Sequence, residues 1–179
     1  MIIQGPMGIV ADRATGTKEA MWVAVESGQA AAIAKGELCV WDFADYSATA
    51  GILQNTRGLR VLVCPTAEAG DNTSGVVRLA GFAHKDIAAF TAFATSRGPI
   101  ALLQTYGFRS DLTANTDAAS NILQGGAIVP SGDAAGAVEG PQDVTSPTVA
   151  EVSKMCGFSF VVVAANTTVT ASLEAFIKI

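Results

Sequence analysis

The stretch "TVTASLEAFIKI", residues 168–179, decides how the fold is read. Val169, Ala171, Leu173, Ala175, Ile177 and Ile179 alternate with Thr170, Ser172, Glu174, Phe176 and Lys178. A period of two is that of a strand with one face buried and one in water. The segment just upstream strengthens the reading. Met155 to Leu173 is an uncharged run of 19 residues, close to the length of a membrane-spanning helix. Its β-branched residues and the polar Asn166 and Thr167 favour two strands joined at "AANTT", so no membrane partner is expected.

Working outward, the same signature recurs. "LRVLVCP", residues 59–65, is apolar on both faces, with Leu59, Val61 and Val63 on one and Leu62 and Cys64 on the other. That pattern predicts a strand buried on both sides. "MWVAV", "LCVWDF", "VVRLAGFA" and "GPIALLQTYGF" are further strands, the last followed by the polar stretch "RSDLTANTDAAS". Gln29–Ala34 suits a helical turn or a β-turn equally. "KDIAAFTAFATS", residues 85–96, predicts a short helix with Asp86 as its N-cap. Residues 44–58 and 66–75 read as loops, and "SGDAAGAVEGPQDVTSPT", residues 131–148, as a long surface loop. The sum is a mainly β chain: a β-barrel or β-sandwich of about eight to ten short strands with at most one or two short helices. Residues 1–20 read as an extended N-terminal arm and residues 21–179 as a single β-rich domain. "GELCVWD" (36–42) echoes "GGAIVPSGD" (125–133), and "VRLAGFA" (77–83) echoes "VSKMCGFS" (152–159). The shared glycines predict bulges or bends; the echo is too short to read as a duplication.

Composition narrows the function. Half of the residues are hydrophobic and only 15% are charged, with a mean hydropathy of +0.38. That much apolar character with so few charges predicts surface buried against other chains. The net charge of −5, with 11 Lys and Arg, lacks the electrostatic footprint of a nucleic-acid binder. The start "MIIQGPMGIVADRATG" carries no basic, apolar leader pattern. Cys39, Cys64 and Cys156 are widely spaced and form no C-x-x-C pair, so they are read as buried thiols in a reducing compartment rather than zinc ligands. The sequons at Asn72 and Asn166 are read as chance matches.

Candidate chemistry is sparse. His84 is the single histidine, and Asp86 lies two residues on, but no G-x-S-x-G elbow completes a triad. Asp42 with Asp45, and Glu68 with Asp71, are carboxylate pairs in loop-like segments, where solvated acids are the ordinary explanation. The calcium-loop pattern and both glycine-rich phosphate-binding patterns are absent from the sequence. The expectation is no catalytic residues, no metal and no cofactor, with the aromatic residues serving the core or an interface.

One resemblance goes further. The order "KGELCVWD", a variable loop of small residues, "VVRLAGFAHKDI", "GPIALLQTYGF" and "GGAIV" is similar to that of capsid decoration (cement) proteins of tailed bacteriophages. Gly36, Ala80–Gly81 and Gly98 carry it, over roughly residues 20–135. The 131–148 insert and the apolar C-terminal strand pair depart from that group. The resemblance implies a non-enzymatic virion structural protein on the capsid surface. Its expected partners are the major capsid protein and itself, as a homotrimer ahead of a homodimer, with no nucleic acid. A tail or head–tail connector component is the alternative, and a small hydrolase using Asp42, Glu68 or His84 a minor one.

Overall fold

The computed structural model describes residues 9–12, 18–28, 30–42, 60–66, 79–91, 98–141 and 153–179. It is mainly β. Ten strands lie among the described residues: β1 (Ile9–Asp12), β2 (Lys18–Ser27), β3 (Leu38–Asp42), β4 (Arg60–Val63), β5 (Leu79–Ala83), β6 (Ile100–Asn115), β7 (Ala127–Pro130), β8 (Val138–Glu139), β9 (Gly157–Ser159) and β10 (Thr168–Lys178). The expected arm supplies β1, antiparallel to β2, and the first residues of β2 itself; residues 1–8 and 13–17 lie outside the described residues.

The expected helix at 85–96 does not begin at Asp86. Ile87 pairs with Ile33 in an antiparallel bridge, and the Asp86 carboxylate accepts the backbone N–H of Lys35 at 2.8 Å instead of capping its own segment. Residues 92–97 lie outside the described residues. Residues 30–36 likewise form no helix: Ile33 sits in a β-bridge and a β-turn follows, with the Glu37 amide donating to the Ala34 carbonyl, while Gln29 lies outside the described residues.

The pairings close into a barrel. β2, β4, β3, β5 and the first half of β6 form a five-stranded circuit, with β6 returning antiparallel to β2. A second circuit runs from the other half of β6 through β10, β9, β7 and β8, and returns to β6 by the parallel pair Ala114↔Val138. One 16-residue strand therefore serves both circuits. Its second half, "RSDLTAN", the polar stretch after the expected strand, continues that strand to Asn115. β6 changes course near Gly107, whose φ is +106°. There the Gln104 side-chain amide donates to the carbonyls of Tyr106 and Phe108, satisfying two acceptors at the irregularity.

The two circuits are built alike, residue for residue. Leu38↔Phe82 and Cys39↔Gly81 in the first match Ala127↔Phe158 and Ile128↔Gly157 in the second. Trp41↔Val61 matches Pro130↔Val138, and the bridge Ile33↔Ile87 matches Ile122↔Val163. The Gly36 amide donates to Ala83 as the Gly125 amide donates to Ser159. Among the described residues, every strand but β1 thus belongs to one of two five-stranded units fused through β6. The echo of glycines in the sequence marks this repeat, and its two halves align in the register the strands adopt. The expectation that it was too weak for a repeated unit is corrected here. Side chains differ between the units because their surroundings differ; the turn glycines persist because the backbone path is shared.

Each unit has its own interior. Ile33, Cys39, Val61, Ala80, Ala83, Ile87, Ala101 and Leu103 fill the first. Leu112, Ile122, Ile128, Val138, Cys156, Val163, Leu173, Ala175 and Ile177 belong to the second cluster, which also takes in Leu38, Val40, Cys64 and Phe82 from the outer face of the first unit. β3 and β4 therefore stand between two apolar layers, the two-sided burial read from "LRVLVCP". The 131–148 insert is more than a surface loop. It contains β8, and its Gly136 accepts from the Leu38 amide and donates to the Cys64 carbonyl, tying the second unit to the first. Residues 142–150 lie outside the described residues.

Candidate functional site

His84 follows β5 at an exposed bend, its amide donating to the Leu102 carbonyl. Partial burial and the nearby Arg109 guanidinium push its imidazole below the ordinary range. Asp86 is committed to the Lys35 amide. Asp42 ends β3, while Asp45, Glu68, Asp71 and the Asn72 sequon lie outside the described residues. Asn166 sits in the turn before β10 with φ at +54°. Among the described residues no group of three or more His, Cys, Asp and Glu is placed to hold a metal ion. No helix there is long and apolar enough to cross a membrane. A cleft of about 430 Å³ between β3, β4 and Ala135 has apolar walls and the single carboxylate Glu37, whose Oε2 accepts the Ala34 amide.

Cys39, Cys64 and Cys156 are free and buried. Burial pushes the Cys39 and Cys156 thiols up, away from the reactive thiolate. A thiol reagent added to the native protein is expected to leave all three unmodified, and to modify all three once guanidinium has unfolded the chain. Fast labelling of the native protein would contradict this placement.

The chemically richest place is the seam between the units. Arg109, 4% exposed, makes a two-point contact with Asp111, Nε to Oδ1 at 2.6 Å and Nη2 to Oδ2 at 2.8 Å. Its Nη1 donates to the Phe82 carbonyl of β5 at 3.2 Å. Lys35, in the turn before β3, reaches Asp111 at 3.0 Å. Burial pushes the Asp111 carboxyl up, but the hydrogen bonds from Arg109 and Lys35 outweigh it and hold the group below the usual range. The turn at Gly36 presses against the same strand. A β-carbon there would fall inside the contact distance of the Asp111 carbonyl oxygen. This end of the first unit is covered by the second.

The matching end of the second unit is open. A β-carbon on Gly125, the counterpart of Gly36, meets nothing within 4 Å. Phe82 is 0% exposed, whereas its counterpart Phe158 is 40% exposed, and Phe160 and Val162 beyond it are 47% and 64% exposed. Leu123 in the adjoining turn is also exposed. Phe158 pairs with Phe176 and Phe176 with Phe108 across three strands. Tyr106 meets Phe176 edge-on at 4.9 Å, and Phe160 lies 5.6 Å from Phe108. The result is an aromatic row on an outer sheet face, rimmed by exposed aliphatic side chains.

One further buried group was invisible in the sequence. Glu139 is 4% exposed, and the Ser131 hydroxyl contacts its Oε2 at 3.2 Å. Burial pushes its carboxyl up to about 7, with Asp117 and Asp133 adding to the rise, against hydrogen bonds from Gly132 and Ser131. A raised carboxyl is neutral in both states at low pH, so its cost is absent there. The cost grows as pH climbs through the unfolded value, about 4.3, and is complete above the folded one. Glu139→Gln is therefore expected to leave stability unchanged at pH 4 and to raise it by about 2–3 kcal/mol at pH 8. Denaturant titrations at the two pH values check this; an equal effect at both contradicts it.

Comparison of the chain with protein-family models, curated proteins and solved structures gives no match. The seam residues Arg109 and Asp111 lie in the polar stretch after the expected strand, where the sequence singled out neither. Only the Gly-Phe echo at Gly81 and Gly157 pointed toward the open face.

Proposed function

We propose that the chain is a virion structural protein of the capsid-decorating type, binding the outside of a phage capsid together with copies of itself. The observation that carries the reading is the exposed row on β9 and its turn, Phe158, Phe160, Val162 and Leu123, on a doubly closed β body. A rigid body with an unburied apolar face suits a protein whose work is contact. Each apolar Å² removed from water contributes about 25 cal/mol, so a modest interface repeated over a shell stiffens it without tight single-site binding. The acidic net charge and the resemblance carried by Gly36, Ala80–Gly81 and Gly98 support the same reading. The N-terminal segment is a candidate for reaching a neighbouring subunit.

The test uses capsids of the encoding phage assembled without this chain. Purified protein should co-sediment with them in saturable amounts and raise their resistance to heat-induced DNA release. Imaging should place its density on the outer surface across capsomer seams. Density confined to the tail or the portal vertex would transfer the protein to the connector reading, and no association with any virion part would end both.

A further inference from the structure

The second circuit returns to β6 through the parallel pair Ala114↔Val138, and the residues next to that pair carry a buried hydrogen-bond chain. Ser131, just past β7, stands in its middle. The Ser131 Oγ lies 2.9 Å from the Asn115 carbonyl oxygen at the end of β6 and 3.2 Å from Oε2 of Glu139 on β8. The Asp133 amide donates to the same Oγ at 3.2 Å. Both the Ser131 and the Glu139 side chains are buried.

The protons in this chain can be counted. A serine hydroxyl donates one hydrogen and accepts up to two. The Asn115 carbonyl only accepts, and the Asp133 amide only donates. When the hydroxyl gives its hydrogen to its shorter contact, Asn115, one lone pair of Oγ is left for Glu139. Oε2 can fill that place only as an O–H. A neutral Glu139 therefore leaves all three side-chain and backbone partners satisfied. An ionised Glu139 needs the serine hydrogen for itself and takes it from the Asn115 carbonyl. We propose that Glu139 is a proton-held latch on the second circuit: its O–H donates to Ser131, whose O–H donates to Asn115, and loss of the Glu139 proton to solvent breaks this tie between β6 and the turn joining β7 to β8.

The surroundings favour the neutral form. Burial, with the carboxylates of Asp117 beyond β6 and Asp133 in the turn after β7 adding to it, pushes the Glu139 carboxyl up to about 7 against the Gly132 amide and Ser131. The latch therefore changes state near neutral pH. Its position gives that change a reach. The turn bracketed by Ser131 and Glu139 contains Gly136, whose carbonyl accepts the Leu38 amide at 2.7 Å and whose amide donates to the Cys64 carbonyl at 2.8 Å. The Gly140 amide, next to Glu139, donates to the Ser120 carbonyl. Release at Glu139 loosens the closure of the second circuit and its link to the first unit together. This response of the fold to pH stands apart from capsid binding, and either can fail without the other.

The test is amide hydrogen exchange on the full chain at pH 6 and pH 8, corrected for the intrinsic effect of pH on exchange. In wild type, protection of the Gly136 and Gly140 amides should fall about tenfold between the two, because the opened carboxyl ionises at its ordinary value. The Gly36 and His84 amides of the first unit should keep theirs. Glu139→Gln, whose amide N–H can donate to Ser131 as the acid does, should protect Gly136 and Gly140 equally at both pH values. Ser131→Ala, which keeps the carboxyl and removes the relay, should show at pH 6 the lower protection that wild type shows at pH 8. Infrared difference spectra should contain a carboxylic-acid band at pH 6 that fades by pH 8 and is absent from Glu139→Gln. An ionised Glu139 at pH 6, a pH response that persists in Glu139→Gln, wild-type protection in Ser131→Ala, or an equal fall in the first unit overturns the proposal.

Discussion

Gly36→Ala is expected to cost about 3–5 kcal/mol, while Gly125→Ala costs about 1–2 kcal/mol. The two glycines occupy the same turn position, with φ at +84° and +75°, so both substitutions pay the left-handed penalty for an L side chain. Only Gly36 lies against the backbone of Asp111, where the added carbon has no room. Opening that gap separates Lys35 from Asp111 and loosens the packing of Phe82 beneath the second unit. The difference between the two variants, measured by chemical denaturation under one set of conditions, isolates the seam from the turn. Equal costs would show that the turn alone is responsible and that the units do not press together there.

The second large effect concerns the ion pair. Asp111→Ala is expected to destabilise the protein by about 3–5 kcal/mol, because it leaves the 4% exposed Arg109 as a buried cation without its two-point partner. Arg109→Met combined with Asp111→Leu should recover most of that loss, since an apolar pair of similar volume carries no desolvation penalty. The sign with pH follows from the depressed Asp111 carboxyl. Its contribution is present at neutral pH and is lost as pH falls through that depressed value, below the ordinary carboxylate range. Wild type and Asp111→Ala should therefore converge in stability in strong acid. A constant difference between them across pH contradicts a charge-based role.

Much of this architecture was legible from pattern alone. The alternation in residues 168–179 returns as β10, with Leu173, Ala175 and Ile177 buried and Ser172, Glu174 and Lys178 in water. The two-faced "LRVLVCP" returns as β4 between two apolar layers. The glycine of "AGFA" marks a real irregularity, where Cys39↔Gly81 is followed by Val40↔Leu79 and Ala80 is left over as a bulge. Helical spacing in "DIAAF" misled because Ile87 is held by Ile33 in an extended bridge, a long-range contact that outweighs local propensity. The polar "RSDLTAN" carried no strand signal for a different reason. Its charges are satisfied by each other and by the first unit, so a strand can carry them inside.

The sequence by itself determined that the chain is β and where most strands run. These are consequences of short-range rules, the period of the strand and the chemistry of turns. Only the tertiary structure decided that the strands close into two like units through one shared strand, that Phe82 is sealed while Phe158 is left in water, and that a buried Arg109–Asp111 pair holds the seam. Those outcomes depend on which distant segment lies against which, and a sequence of alternating residues is compatible with many partners until the sheet has closed.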